Sequence, residues 1–325
     1  MSAGAPAPRV VIAVPTYRRT ALLPELVAAI AADAAEAPAQ WRILLVDNDP
    51  EASARETAAA LGVGHLHVPA PGIAAARQAA LEAAEGDELV VMIDDDLVPE
   101  PGWLAGLVET WQAHRPDAVM GFVRYVWPEG TDPWVAAGGF MRRTRFPTGT
   151  PLQALSTGNV LIDPRRAREL GVAFDVALGL SGGSDLDFGH RLLAAGGTIV
   201  ASAESVARDD IVAARTTRAF VHRRAVCQGQ VRVRIMSRDE PALGARGEAR
   251  GTPRGRARAR ARVRRGGAAR APARRRGRER HLPAQAVVRA GQGAGRARPL
   301  RARVRPPRPC SACRSRILIT ACYCA

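Results

Sequence analysis

The chain contains no lysine, so all 47 of its basic residues are arginine. A glycine-rich phosphate loop that places a lysine beside the first strand is therefore excluded. Cysteine is scarce too: five in 325 residues, and only Cys227 falls before residue 240. That usage suits a reducing compartment and no structural disulfides. No apolar run approaches the length of a membrane span. The opening "MSAGAPAPRVVIAVPTY" lacks a basic n-region, and its apolar stretch stops at Pro15, which argues against a signal peptide. These absences lead to the expectation of a cytoplasmic protein, with peripheral contact to the inner face of the membrane the one membrane association left open.

What is present divides in two. Residues 1–240 hold 23 Arg against 29 acidic side chains, a net charge of −6, whereas residues 241–325 hold 24 Arg and 2 Glu, a net of +22. The formal charge of +16 therefore describes neither part. "RGRARARARVRRGG" and "APARRRGRER" alternate Arg with Ala, Gly and Pro and show no amphipathic period. Such a segment is read as a disordered polybasic tail able to bind nucleic acid or acidic lipid. In GC-rich DNA the Ala, Arg, Gly and Pro codons interconvert when the frame slips, so a frameshifted translation is the second reading. A metal knuckle of Cys310, Cys313, Cys322 and Cys324 is a third, although the surrounding sequence lacks the strand and turn pattern of a zinc ribbon.

The first part is 1–240, and its front half alternates short apolar runs with helical patterns, the mark of parallel βαβ units. "RVVIAV" (9–14), "RILLV" (42–46), "HLHV" (65–68) and "ELVVMI" (88–93) read as strands. Helices are expected over 21–35, over 51–61 with a stop at Gly62, and from Gly72 to Gly86. Further on, a helix over 102–115, strands over 117–126 and 158–163, a helix from about 182, and a last helix over 216–236 complete the pattern. Residues 127–155 read as a long loop. The fold class is α/β, with a mainly parallel central sheet flanked by helices.

In such sheets ligands gather beyond the carboxyl ends of the strands. Asp47, Asp49 and the run Asp94 to Asp96 all fall there. In an extended segment Asp94 and Asp96 would project together, with Asp95 opposite. Two carboxylates with open remaining positions suit Mg²⁺ or Mn²⁺ held jointly with substrate phosphates. Arg77 shares a helical stripe with Ile73 and Leu81, so it either snorkels out of an apolar face or points at an anion. Ser184 reads as an N-cap, with Asp185 and Asp187 in the first turn, where a helix dipole favours negative charge. Gly182 and Gly183 would let a loop deliver Asp185 to a ligand, where it could take a proton from a hydroxyl.

Taken together, "VPTYRR" (14–19), "VDNDP" (46–50), "GIAAARQAAL" (72–81), "IDDDLVPEPGWL" (93–104), "STGNVLID" (156–163) and "GGSDLDFGHRLLAAG" (182–196) resemble the family 2 glycosyltransferases of the GT-A fold. The resemblance implies a nucleotide-diphospho-sugar transferase domain over 1–240 and an inverting, metal-dependent transfer to an acceptor hydroxyl. It implies Asp185 as general base, and Pro15, Thr16, Tyr17, Arg19, Asp47, Asp49, Arg77, Asp94 and Asp95 on the nucleotide sugar. Asp94 and Asp96 would hold Mn²⁺ or Mg²⁺, and Gly158, Asn159, Gly183 and Ser184 would lie on the acceptor side. Ser184 stands where the family often has Glu, and Gln78 where it often has Asn. The implied partners are a nucleotide-sugar donor and an acceptor glycan, lipid-linked sugar or small molecule. The Q-x-x-R-W motif of processive synthases is absent. A nucleotidyltransferase would use the same strand-end acids, and a polyanion binder would act through the tail. Salt-sensitive nucleic-acid binding that disappears on truncation at residue 240 would distinguish the last of these.

Overall fold

The computed structural model describes residues 7–238 apart from 87 and 140–142. The polybasic segment and its cysteines lie outside the described residues. Among the described residues eight strands form one sheet in the order β3-β2-β1-β4-β7-β6-β8-β5. They are β1 (Arg9–Thr16), β2 (Gln40–Asp47), β3 (Gly64–His67), β4 (Leu89–Ile93), β5 (Leu97–Pro99), β6 (Ala118–Val126), β7 (Asn159–Ile162) and β8 (Ile199–Asp210). The helices are α1 (Leu23–Ala34), α2 (Arg55–Leu61), α3 (Ile73–Glu82), α4 (Trp103–His114), α5 (Pro133–Ala137), α6 (Pro164–Glu169), α7 (Ser184–Ala194) and α8 (Arg218–Met236). No helix among the described residues is long and apolar enough to cross a membrane.

The half of the sheet from β3 to β4 is all parallel, as the crossovers α1, α2 and α3 require. Beyond β4 the sheet becomes mixed. β7 runs antiparallel between β4 and β6, and β5 runs antiparallel to β8 at the far edge. The expectation of a mainly parallel sheet therefore holds for strand direction, with two reversals that the apolar pattern did not show.

Alternation decides which core each strand feeds. Along β1, Val10, Ile12 and Val14 face one core, and Val11 and Ala13 face the other. β4 divides the same way, with Leu89, Val91 and Ile93 on one side and Val90 and Met92 on the other. A strand covered on both faces needs no polar alternation, which is why "ELVVMI" shows none. Leu23, Leu26, Val27 and Ile30 of α1 and Leu104, Leu107, Val108 and Trp111 of α4 fill the first core. Ala76, Ala80 and Leu81 of α3 and Phe188 and Leu192 of α7 fill the second. Each large side chain so buried contributes about 1.5–3 kcal/mol relative to exposure.

Several elements differ from the sequence expectation. The strand β8 was not anticipated, nor were β5, α5 and α6. β8 carries Ser202, Glu204, Ser205, Arg208, Asp209 and Asp210, and its register against β6 shifts between Gly121 and Phe122, so its apolar residues keep no single period. Ser184 is the first residue of α7, not its N-cap; Gly183 occupies the cap with φ +86° and no side-chain cap bond forms.

One cap comes from far away in sequence. The carboxylate of Asp33, at the end of α1, accepts hydrogen bonds from the backbone N–H of Gly102 (2.6 Å), Trp103 (3.1 Å) and Leu104 (2.9 Å). It satisfies three orphan donors and lies against the positive end of the α4 dipole. Asp33→Ala is expected to lower the unfolding free energy by about 1–2 kcal/mol. Urea denaturation checks this, and an unchanged midpoint would show that the cap carries no stability.

Candidate active site

β1 and β4 are adjacent and parallel, so the loops after Thr16 and Ile93 leave the same edge of the sheet. Residues 94–97 turn at once, with the N–H of Leu97 bonded to the carbonyl of Asp94 (3.1 Å). The segment is not extended, and strict alternation of the three aspartates is lost. Asp95 accepts from Thr16 Oγ1 (2.9 Å) and from Arg19 Nη1 (2.7 Å). The same Arg19 nitrogen reaches Asp96 Oδ2 (3.1 Å), which also accepts from Arg215 Nη2 (3.1 Å). Asp94 lies 3.7 Å from Arg77 Nη2. Asp94 and Asp96 nevertheless line one cleft, as the sequence implied, while Asp95 is drawn aside by Thr16.

Every acid in the run thus meets a guanidinium, which is how three like charges survive at a strand end. Burial pushes the Asp94 carboxyl up to about 7; the Arg77 charge opposes that, and Asp96, Asp95 and Asp185 add to it. Burial raises Asp95 as well, against the charge of Arg19. A Cβ on Gly158 would lie 3.0 Å from Asp94 Oδ2, so glycine lets β7 begin hard against this carboxylate.

Arg77 is 3% exposed and does not snorkel. Its Nη1 donates to Ser184 Oγ (2.9 Å) while Nη2 faces Asp94, so it joins the acidic turn to the start of α7. Asp185 follows directly. It shares a buried stripe of α7 with Phe188 and Leu192, and its Oδ1 accepts from the N–H of Leu186 (2.9 Å). Gln78, one residue beyond Arg77, accepts from the N–H of Phe174 (2.8 Å) and thereby fastens the chain that leads to α7.

Other residues singled out by the sequence are placed differently. Asp47 is fully buried, and its oxygens accept from the N–H groups of Asp49 (3.1 Å) and Ala54 (2.7 Å), with His65 Nε2 at 3.3 Å. Both its oxygens are engaged in shaping the turn after β2. Asp49 is gripped by Arg18 through two bonds of 3.1 Å, which hold its carboxyl below the usual range. Asn159 is also spent internally: its amide binds Trp103 Nε1 (2.8 Å) and the carbonyls of Phe122 (3.1 Å) and Ser205 (3.3 Å). It brackets the core at the start of β7. Pro15 is buried at the end of β1, and Tyr17 lies under the Arg18 guanidinium, 5.2 Å from its ring centre.

A small cleft opens beside Asp94. Besides Asp94, Asp96 and Gly158 it is lined by Tyr125, Arg143, Asp209, Arg215 and Arg224. Sequence reading missed these last five. Asp209 is the penultimate residue of β8, a strand that was itself unseen, and burial aided by the charge of Asp96 pushes its carboxyl up to about 6. Arg18 was missed as well, although "VPTYRR" contains it; its φ of +55° marks a bend that its pairing with Asp49 holds.

The donor set fits a divalent ion of the Mg²⁺ or Mn²⁺ type. No group of three His, Cys, Asp or Glu side chains among the described residues could encage a cation alone. Two carboxylates facing an open cleft are what such an ion uses when phosphates and water complete its shell.

The family Glycosyl transferase family 2 matches residues 11–165. The succinoglycan biosynthesis protein ExoM of Rhizobium meliloti (strain 1021) is 32% identical over 241 residues, which cover 72% of this chain and 77% of that protein. The chain belongs to glycosyl transferase family 2. This transferase has the α/β architecture, GT-A in type, that the motifs implied. Two solved structures are similar at 14% identity. GalNAc-T7 with UDP, GalNAc and Mn²⁺ gives a TM-score of 0.49, with 63% of this chain and 44% of that chain covered. S. aureus TarS 1-349 in complex with UDP-GlcNAc gives 0.48, with 73% and 69% covered.

The glycine before α7 is set by packing against α8. At φ +86°, a Cβ on Gly183 would lie 2.3 Å from Val231 Cγ1 and 2.9 Å from Ile235 Cδ1 of α8. Gly183→Ala combines left-handed strain of about 1–2 kcal/mol with overpacking of about 1–3 kcal/mol. A lowered denaturation midpoint with α8 displaced is the expected result, and wild-type stability would show that α8 accommodates the methyl group.

Proposed function

We propose that this transferase moves a sugar from a nucleotide-diphosphate donor to an acceptor hydroxyl with inversion at the anomeric carbon, with Asp185 as general base. Residues 1–240 would be the catalytic domain and 241–325 an appended polybasic segment. The observation that carries the reading is the buried Arg77, bonded to Ser184 and 3.7 Å from Asp94, which ties the acid pair to the residue preceding the base. Proximity of this kind is what a single displacement needs, because base, acceptor and leaving group must act at one carbon.

In that displacement the Asp185 carboxylate takes the proton of the acceptor hydroxyl. The acceptor oxygen forms its bond to the anomeric carbon from the face opposite the diphosphate, and the breaking carbon–oxygen bond's electron pair leaves on the diphosphate oxygen. Asp94 and Asp96 would hold Mn²⁺ or Mg²⁺, which supplies Lewis-acid stabilisation to the leaving diphosphate. Arg77 keeps its charge beside Asp94 throughout, and Thr16 and Arg19 keep Asp95 turned away from the cleft. Arg18 and Asp49, at the exits of β1 and β2, frame the side where the nucleotide would lie. The biosynthetic role named for the R. meliloti relative supports a growing saccharide as acceptor.

Asp185→Asn is expected to lower kcat by about 10²–10⁴-fold with donor KM changed by no more than about twofold, the pattern of a lost base. Unchanged turnover would remove Asp185 from this role. Asp96→Ala is expected instead to abolish the cation-dependent part of donor binding, measured by thermal shift against a panel of nucleotide sugars with Mn²⁺. The anomeric configuration of the product, read by NMR, tests inversion; a retained configuration would overturn it.

A further inference from the structure

The cleft is lined by three carboxylates, Asp94, Asp96 and Asp209, and by three guanidiniums, Arg143, Arg215 and Arg224. Its formal charge is therefore balanced without a ligand. A divalent cation alone would leave two positive charges uncompensated there, and the diphosphate of a nucleotide sugar alone would leave two negative ones. Brought together, they restore the balance. Uncompensated charge in a partly buried site is costly, so each ligand should favour the other.

The arginines are arranged accordingly. Arg143 donates to two neutral oxygens, Tyr125 Oη (3.0 Å) and Ser156 Oγ (3.2 Å), and among the described residues no carboxylate bonds it directly. Arg224 Nε is buried and has no hydrogen-bond partner among the described residues. Arg215 donates to Asp96 Oδ2 (3.1 Å), one of the two carboxylates assigned to the cation. With Arg19 and Arg215 both bonded to it, that oxygen has no lone pair left, so a cation that takes it must displace one guanidinium. Arg19 also touches Asp96 but has its shorter bond, 2.7 Å, to Asp95.

Building on the donor and cation reading above, we propose that Arg143, Arg215 and Arg224 form the diphosphate-holding half of the cleft, and that Arg215 is a latch. It rests on Asp96 and transfers to the diphosphate when a cation takes Asp96. A planar guanidinium suits that exchange, since the same fork fits a carboxylate or a phosphate. The consequence is reciprocal coupling: cation and diphosphate raise each other's affinity by the same factor.

The latch has a signature that a purely structural role does not share. Isothermal titration of the full chain with Mn²⁺ alone, with inorganic pyrophosphate alone and with their equimolar complex measures it. Wild type is expected to bind the complex at least about tenfold more tightly than either component. Arg215→Ala and the milder Arg215→Gln are expected to bind Mn²⁺ alone several-fold more tightly, because Asp96 is released, and the complex about tenfold more weakly. Arg224→Ala is expected to leave Mn²⁺ binding unchanged and to weaken the complex. Arg215 variants that weaken Mn²⁺ binding, or leave both affinities as in wild type, overturn the latch. An Arg224 variant with wild-type affinity for the complex overturns the assignment of the anion half. Wild-type protein that binds no Mn²⁺ in any combination would overturn the cation reading on which the proposal rests, an outcome distinct from failure of the arginines alone.

Discussion

Carboxylates at the exit of a buried strand persist only where positive charge stands within reach, and this molecule meets that constraint three times in three consecutive residues. Asp94 is faced by Arg77, Asp95 by Arg19, and Asp96 by Arg19 and Arg215. The guanidiniums come from α3, from the loop after β1 and from the short 3-10 turn before α8. Charge compensation therefore fixes how those elements meet the edge of the sheet. It also explains why Arg77 is buried: its stem crosses the apolar face of α3, and its head is needed between Asp94 and Ser184.

The front of the fold was legible because its central strands are covered on both faces and α2 stops at a glycine, although α3 ends at Glu82, short of Gly86. β1, β2 and β4 lie where the apolar runs placed them, and Gly62 closes α2 in the left-handed conformation. The back was less legible for an equally physical reason. β8 mixes apolar and charged residues because it sits near the sheet edge, shifts register against β6 and delivers Asp209 to the cleft. Alternation cannot be read from a strand with those three duties. β5 is three residues long and offered too little sequence to carry a period.

The candidate site was legible as a set of motifs, but the work of each residue was not. Buried polar side chains must find partners, and in Asp47 and Asn159 the partners are all internal. One sets the turn after β2; the other brackets α4, β6 and β8 to β7. Spacing alone cannot separate a carboxylate that braces a turn from one that faces a ligand. Arg143, Arg215 and Arg224 were invisible for the opposite reason, since in an arginine-rich chain no single arginine stands out.

The partners that assemble this site are far apart along the chain: Arg19 and Asp95 by 76 residues, Arg77 and Ser184 by 107, Arg215 and Asp96 by 119. Such contacts bear a loop-closure cost that local structure does not, and they form only after the strands between them have paired. The acidic turn should therefore stay hydrated until late in folding, when β1 and β4 are joined and the far half of the sheet has docked. A nascent chain that has not yet emerged as far as Arg215 can complete the parallel half of the sheet, yet it leaves Asp96 without one of its two cations. Order in the cleft would then report that the whole domain has folded.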